Sequence, residues 1–370
     1  TTEVLCIAFG THPETVQVLP PQHPSTNQLW PLMQHVSKGG KIQAWNAMFE
    51  YAIWNCVCVP KYGWPPLKLE QVIDSMAIAA ANNIPQSLEE AGDFLATSWK
   101  KDGIGKKLIQ KLCKPTSKGD FNNDPELLKQ LFDYCVRDVQ TEMDVVSRLR
   151  QLSDQEQQVW VLTQKINQTG IPIDVNGIQN AVFAVEKAQS EIDRETLELT
   201  GCKPSERQKL LNWLNERGAG LPDLTAETVS GAIPKLVDTN LRRALELRQA
   251  GSMTSLAKYS KMLEIQRGGR IRNTLIYSGA NTGRWASRGG LNAQNFARPT
   301  VEVTEQLIER VLERGEGATP EELSSLLRSS LKASEGHTFI SVDYSSIENR
   351  VLAWLAGQHD KLALFKAGGD

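Results

Sequence analysis

The chain has 370 residues, of which 40% are apolar and 23% charged, and its formal net charge at pH 7 is −2. This length allows two or three domains with ordinary cores, and the composition is typical of a globular protein of the cytoplasm. There is no apolar run of the ~20 residues that a membrane span needs, no export signal, and no CxxC pair among the six cysteines, which argues against a structural zinc site.

Residues 1–152 combine short apolar strands with helices, a pattern that predicts an α/β domain. Strands are expected at 3–9, 15–19 and 41–44, with a Pro-rich loop over 20–31 between them. Helices are expected over 46–56, 74–82 and 127–152, the last because its apolar residues recur at helical spacing.

Residues 153–266 predict an all-helical region. Ser153 and Glu156 have the spacing of a capping box, and Gly170 ends the helix that they open. Further helices are expected over 178–200, 205–217 and 241–266.

The sequence over 267–370 predicts a region of mixed strands, helices and loops. Strand character over 270–278 is followed by the loop GANTGRWASRGGLNAQN and by helices over 302–313 and 321–332. The apolar run 338–342 predicts a buried strand, with a helix after it over 347–356. Because the chain starts at Thr1 and stops just after Gly368-Gly369, we expect it to be cut at both ends.

The basic residues are concentrated in one tract. Eight Lys and Arg side chains and one acid, Glu264, lie between Lys258 and Arg298, so these 41 residues carry +7 and the rest of the chain −9. Such a tract suits a groove that follows nucleic-acid phosphates, whereas the alternative is a solvated surface with each Arg paired to a distant acid.

Asp343 follows the predicted strand 338–342 directly, where a carboxylate on rigid support could hold a divalent metal against a phosphate. Alternatively, Asp343 could simply cap the next helix. The surrounding segment DYSSIENRVLAWLAG resembles motif A of A-family DNA polymerases, usually DYSQIELRVLAHLS.

This resemblance implies that Asp343 binds both Mg²⁺ ions of a two-metal site, with Mn²⁺ as a possible substitute, assisted by the Tyr344 carbonyl. It also implies that Glu348 excludes a ribose 2′-hydroxyl and that Arg350 belongs to the nucleotide site. The family's second carboxylate would lie beyond Asp370, so we expect this chain to carry half of a polymerase site and to be inactive alone. Ser346 and Asn349 stand where Gln and Leu are usual.

The basic loop resembles the family's TGR loop, and more closely the TGRW variant of phage-like polymerases. Arg284, Gln294 and Asn295 match it, and the resemblance implies that they contact the minor groove of the primer–template end. Acceptors lie at similar places in the minor groove of every base pair, so such donors check pair shape without reading sequence. Arg298 and Lys258 are further candidates for contact with DNA.

Tyr134 and Asp138 lie four residues apart on the helix predicted over 127–152 and therefore share a face. They resemble the third motif of DEDD-type 3′–5′ exonucleases, which implies that Asp138 holds metal and Tyr134 orients the attacking water. AWNAMFEYAIW resembles the second motif, with Glu50 in place of Asp as a metal ligand. The first motif, Asp-x-Glu, is absent, so either it precedes Thr1 or the nuclease is inactive.

The sequence therefore resembles a phage-type A-family DNA polymerase that acts on primer–template DNA and dNTPs. The fold expected is α/β and multidomain: a ribonuclease H-like exonuclease domain (1–152), a helical thumb (153–266) and the start of an α+β palm (267–370). We expect a monomer that works in the bacterial cytoplasm, either in a bacterium that encodes it or in a host infected by a phage. The alternatives are a stand-alone 3′–5′ exonuclease, for which motif A would have no use, and an inert DNA-binding module.

Overall fold

The computed structural model describes residues 3–20, 28–99, 103–116 and 119–369. Most of the predicted loop 20–31 lies outside these ranges, and a helix that the sequence did not predict begins at its end.

The N-terminal region contains short strands and seven helices among its described residues. The strands are β1 (Ile7–Phe9), β2 (Gln17–Leu19), β3 (Ile42–Ala44) and β4 (Val72–Asp74). The helices are α1 (Trp30–Ser37), α2 (Met48–Ile53), α3 (Val59–Tyr62), α4 (Ser75–Ala81), α5 (Leu88–Phe94), α6 (Gly105–Leu112) and α7 (Pro125–Ser147), with a π turn at Trp54–Cys58 and 3₁₀ turns at Pro13–Thr15 and Leu69–Gln71. In the described ranges β1 pairs with β2 antiparallel and β3 with β4 parallel, so the region is mixed α/β, in two separate two-stranded sheets.

Two aspartates begin helices of this region. The Asp124 carboxylate accepts from the backbone N–H groups of Glu126 and Leu127, and Pro125 occupies the first position of α7, where a missing N–H costs nothing. The Asp74 carboxylate caps α4 in the same way, through the Met76 N–H at 3.0 Å. Helix α7 is therefore fixed at its start, and it ends at Ser147, earlier than predicted.

The central region is helical, as its spacing predicted. Its helices are α8 (Asp154–Thr169), α9 (Val175–Thr200), α10 (Arg207–Glu216), α11 (Ala226–Ala232), α12 (Thr239–Ala250) and α13 (Ala257–Ile265), with β5 (Ile171–Pro172) after α8 and a 3₁₀ turn at Ile233–Lys235. The single helix expected over 241–266 was wrong, because the chain turns over 251–256 and divides it into α12 and α13. Ser153 caps α8 through the Glu156 N–H, as predicted, whereas the Glu156 side chain accepts from the Tyr277 hydroxyl and does not complete the predicted capping box.

The C-terminal region combines short strands with short helices. Its strands are β6 (Arg270–Ile271), β7 (Leu275–Ile276) and β8 (Ala286–Ser287), and its helices are α14 (Glu305–Ile308), α15 (Pro320–Ser325), α16 (Ile347–Leu355) and α17 (His359–Lys366). Other turns are 3₁₀ at Ala293–Asn295 and Leu326–Ser330 and π at Glu309–Glu313. β6 pairs with β5 and β7 with β8.

The predicted buried strand over 338–342 was wrong. These residues form no strand, and Ile340 and Val342 are 84% and 85% exposed. A strand needs a neighbour for its backbone N–H and C=O groups, and no strand in the described ranges pairs with this segment.

Helix α8 joins the N-terminal region to the C-terminal one. Trp160 of α8 packs in one hydrophobic core with Trp54 of the first region and Tyr277 of the last. The Gln157 side chain donates to the Val72 carbonyl of β4, and Asn167 exchanges hydrogen bonds with the Leu275 backbone. Helix α8 therefore packs against both the N-terminal and the C-terminal region.

Candidate functional site

A cleft of about 2010 Å³ opens in the N-terminal region between β1, β3, α2 and α7. Four carboxylate residues line it, Glu50 from α2 and Asp138, Glu142 and Asp144 from α7. Two of these, Glu50 and Asp138, are the residues that the exonuclease-like motifs identified. The structure thus brings side chains 88 residues apart in sequence to one cleft.

Glu142 was missed by the sequence analysis. Its carboxylate accepts a hydrogen bond of 2.6 Å from the Ser75 hydroxyl, and the Ser75 hydroxyl in turn accepts one from Gln43. Burial raises the pKa of Glu142 to about 7, although the bonds from Ser75 and from the Trp45 N–H oppose this. The sequence spacing could have identified Glu142, because it lies one helical turn beyond Asp138 on the same face of α7.

The other acids near the cleft are also desolvated. Glu50 is exposed as a residue, but the protein around its carboxyl group, with smaller contributions from Glu142 and Asp74, raises its pKa to about 7. Burial raises the pKa of Asp74 to about 6, despite its hydrogen bonds from the Met76 and Asn46 N–H groups. Carboxylates gathered in a poorly solvated cleft attract a cation or a proton.

Tyr134 lies behind the cleft and does not line it. Its ring packs with Leu108, Leu112 and Leu131, and it is hydrogen-bonded to Asp138. Burial, followed by the Asp138 carboxylate, raises the pKa of the Tyr134 hydroxyl. Tyr134 therefore contacts Asp138 from behind the cleft and does not face the interior of the cleft.

Gly105 of α6 gives the Tyr134 ring its space. A Cβ at position 105 would overlap three atoms of that ring. The neighbouring Gly103 has no atom within 4 Å of a corresponding Cβ. A glycine is therefore needed at 105 for contact with the ring and is not needed at 103.

Oxygen ligands of this kind suit Mg²⁺ or Mn²⁺. However, in the ranges that the structure describes, no three His, Cys, Asp or Glu side chains lie close enough together to hold a metal ion. Glu50 and Asp138 thus have the right chemistry but an incomplete set of ligands, and the same applies to Asp343.

The second candidate site lies in the C-terminal region, where the TGRW loop meets motif A. The Arg284 guanidinium of the loop forms an ion pair with the Glu348 carboxylate of α16. Their side chains are 73% and 79% exposed, so the pair is open to exchange with another partner. The Trp285 indole donates to the Thr163 hydroxyl of α8 at 3.0 Å, which anchors the loop.

The cations of the basic tract mostly have no acidic partner. Among described residues, carboxylate partners occur for Lys261, with Glu264, and for Arg284, with Glu348. Lys258 and three arginines donate to backbone carbonyl groups instead: Arg267, Arg270 and Arg272. Carbonyl groups orient a cation without cancelling its charge, so the positive field of the tract persists.

The remaining predicted DNA contacts lie in or beside the same loop. Lys258 donates to the Asn295 carbonyl at 2.8 Å and lies over the Phe296 ring, which joins α13 to the loop. Gln294, Asn295 and Arg298 are exposed. The structure therefore groups Lys258 with the loop residues on one solvent-facing side.

The predicted nucleotide residues lie on the exposed segment before and within α16. Asp343 is exposed, and Tyr344 is 78% exposed. Arg350 donates to the Ser345 carbonyl at 2.7 Å and stacks on Phe365 of α17. The first residue before α16 is Ser346, with a φ of +49° and no side-chain cap, so the interpretation of Asp343 as the helix cap is wrong.

Comparison with known proteins agrees with these motifs. The chain is 30% identical over 388 aligned positions to the DNA polymerase of Bacillus phage SP02, in an alignment that covers 99% of this chain. The chain is therefore similar to a phage DNA polymerase over nearly its whole length. This similarity to a phage DNA polymerase agrees with the resemblance that motif A and the TGRW loop indicated. The chain spans 59% of the length of that relative.

A second comparison concerns the fold of the chain. The POL domain of Pol1 from M. smegmatis, solved as a complex with DNA primer-template and dNTP, superposes with a TM-score of 0.56. The match covers 96% of this chain and 57% of that one, at 16% identity, and thus concerns the fold alone. No protein-family model matches the chain. Within the described ranges, none of the helices combines the length and apolar character that crossing a bilayer requires.

Proposed function

We propose that this polymerase relative contributes the primer-binding and nucleotide-selecting half of a DNA-templated DNA polymerase. The observation that carries the proposal is the ion pair of Arg284 with Glu348. The resemblance assigned Arg284 to the primer end and Glu348 to the sugar of the incoming nucleotide. Nucleotide addition requires these two substrates to be neighbours.

The basic tract supports DNA as the partner. Its charge is largely uncancelled by acids, and it surrounds the loop that carries Arg284, Gln294, Asn295 and Arg298. Lys258 would approach phosphates from the helical region, which acts as the thumb over residues 153–266. Primer–template DNA and dNTPs are therefore the proposed partners, with the protein acting as a monomer in the cytoplasm of a bacterial host, since the relative comes from a Bacillus phage.

Asp343 is proposed as the metal-binding carboxylate of the polymerase site. Mg²⁺ is commonly held by one or two carboxylates together with substrate phosphates, so a single exposed acid at the substrate site fits this chemistry only in the presence of nucleotide. A bound Mg²⁺ or Mn²⁺ would supply charge stabilisation for phosphoryl transfer. Tyr344, Glu348 and Arg350 would contact the nucleotide.

A 3′–5′ exonuclease is the second proposed activity, for residues 1–152 as a ribonuclease H-like domain. It is supported by the cleft, which Glu50 of α2 and Asp138 of α7 both line, with Tyr134 bonded to Asp138. Carboxylates on two elements across a cleft are the arrangement that a metal-dependent nuclease needs.

Separate substitutions in the whole protein test both activities. Asp343→Ala should lower primer extension at least about 10²-fold, as expected for loss of a group that stabilises transition-state charge, and leave 3′–5′ hydrolysis intact. Tyr134→Phe removes one hydrogen bond to a carboxylate, worth about 1.5 kcal/mol, and should slow 3′–5′ hydrolysis about tenfold while leaving extension intact.

Asp360→Ala is the matched control for extension, because Asp360 is an exposed acid on the adjacent helix α17. Equal extension rates for Asp343→Ala and Asp360→Ala would reject the polymerase assignment. Equal hydrolysis rates for Tyr134→Phe and the unsubstituted protein would reject the exonuclease assignment.

A further inference from the structure

Two thiols of the N-terminal region touch each other. Cys6 directly precedes β1, and Cys135 lies on α7 between Tyr134 and Asp138. Their sulfur atoms are 3.7 Å apart, with the Cys6 thiol donating to the Cys135 sulfur, and both residues are half-buried. The contact joins positions 129 residues apart in sequence.

The contact is close to what a covalent bond between the two sulfurs needs. A disulfide has an S–S distance of about 2.05 Å, so the sulfurs must approach by about 1.7 Å, which side-chain rotation can supply. Residues 3–6 belong to no strand, so the backbone at Cys6 can adjust without breaking a sheet. The packing of β1 against α7 keeps the two backbones adjacent.

The two thiols also differ in reactivity. The hydrogen bond from Cys6 lowers the pKa of Cys135 below its ordinary value, and the same bond raises that of Cys6. The thiolate is the form that attacks an oxidant, so Cys135 is the nucleophile and Cys6 the neighbour that completes the reaction.

We propose that a peroxide converts Cys6 and Cys135 into a disulfide that ties the segment before β1 to α7. Other thiols lack this arrangement. Cys58 and Cys202 are buried, and Cys56 is exposed with no recorded contact to another thiol. Cys113 is exposed at the end of α6 and lies near the pair, which makes it the competing partner.

The chemistry balances with one peroxide molecule. The Cys135 thiolate attacks a peroxide oxygen, the O–O bond breaks, and the departing hydroxide takes up a proton to form water, leaving a sulfenic acid on Cys135. The Cys6 sulfur then attacks the Cys135 sulfur, its proton leaves, the S–O bond breaks, and a second water forms. The two thiols together lose two electrons, and the peroxide gains them.

Treatment of the whole reduced protein with hydrogen peroxide, followed by alkylation, proteolysis and mass spectrometry, tests the proposal. We expect a reducible peptide pair joining Cys6 to Cys135, and loss of alkylatable Cys135 about tenfold faster than that of Cys56, the exposed control thiol. Cys6→Ser should leave Cys135 as a sulfenic acid that dimedone traps, and Cys113→Ser should leave the cross-link unchanged.

Thermal unfolding gives a second readout that does not depend on either proposed activity. Closing a loop of this length should raise the unfolding midpoint of the oxidised protein by several degrees (about 4 °C or more), and a reductant should reverse the rise. The proposal is overturned if Cys6 and Cys135 stay alkylatable while Cys56 oxidises, or if Cys135 pairs with Cys113 instead.

Discussion

The carboxylates of the N-terminal cleft and those of the C-terminal segment lie in opposite environments. Glu142 in the cleft and Asp74 beside it are desolvated and hydrogen-bonded by Ser75 and Met76, whereas Asp343 and Glu348 face solvent. The first set is oriented by the fold before any ligand arrives. The second set would acquire its geometry only with primer, nucleotide and metal. Substitutions near the cleft should therefore change stability and activity together, and those near motif A should change activity alone.

The strongest test of this comparison is Gly105→Ala. The added Cβ would overlap the Tyr134 ring, and we expect overpacking to cost about 1–3 kcal/mol of unfolding free energy. Displacement of the ring would also shift Asp138, and a misplacement on the order of 1 Å can lower a rate about 10²-fold, so 3′–5′ hydrolysis should fall by that factor. Denaturant unfolding and a hydrolysis assay measure the two effects.

Gly103→Ala is the control, since a Cβ there meets no atom within 4 Å and its φ is not in the left-handed region. It should leave both quantities nearly unchanged. If Gly105→Ala behaves like Gly103→Ala, the Tyr134 ring does not depend on the contact with α6, and the positioning role of Tyr134 fails with it.

Ser75→Ala should produce the next largest effect. Ser75 is fully buried, and its hydroxyl donates to Glu142 at 2.6 Å. Loss of a hydrogen bond to a charged group should lower the unfolding free energy by about 1.5–3 kcal/mol. Ser87→Ala provides the control, because Ser87 is exposed and makes no side-chain cap bond at the start of α5. We expect Ser87→Ala to change the unfolding free energy by less than about 0.5 kcal/mol. If Ser75→Ala lowers the unfolding free energy by less than about 0.5 kcal/mol, the Ser75 hydroxyl does not stabilise the position of Glu142.

The two regions also differ in how far the sequence predicted them. Local rules identified α7 from its apolar spacing and α8 with its cap, because Ser153 acts on backbone within four residues of itself. The same rules failed for 338–342, since a strand depends on a partner from elsewhere in the chain. They also missed the break between α12 and α13, where apolar spacing continues through a turn.

The candidate sites show the same division. Glu50, Asp138 and Glu348 were found through motif resemblance, and the structure places the first two at one cleft. Glu142 carries no motif. Helical spacing could have placed it on the same face as Asp138, but its hydrogen bonds come from Ser75 and the Trp45 backbone, which are 67 and 97 residues away in sequence. Contacts of that range are set by tertiary packing and cannot be derived from local pattern.

Glu348→Ala should have the smallest effect of these substitutions, and it should leave the unfolding free energy nearly unchanged. Its ion pair with Arg284 is exposed at both ends, so its removal should change the unfolding free energy by less than about 0.5 kcal/mol. If Glu348 excludes the 2′-hydroxyl, the ratio of ribonucleotide to deoxyribonucleotide incorporation should rise about tenfold, or about 1.4 kcal/mol of selectivity. Single-nucleotide primer extension with each substrate measures this ratio, and Glu335→Ala, at another exposed acid before α16, is the control.

Arg284→Ala separates two explanations of that result. Removing Glu348 also frees Arg284, and the freed cation could alter incorporation by holding the primer differently. In that case Arg284→Ala would change the ribo/deoxyribo ratio as well. We expect instead that Arg284→Ala weakens primer–template binding and leaves the ratio unchanged, because a minor-groove donor checks the primer pair and not the incoming sugar. A ratio that shifts equally in both variants would assign selectivity to the ion pair, whereas a shift in Glu348→Ala alone assigns it to the carboxylate that faces the nucleotide.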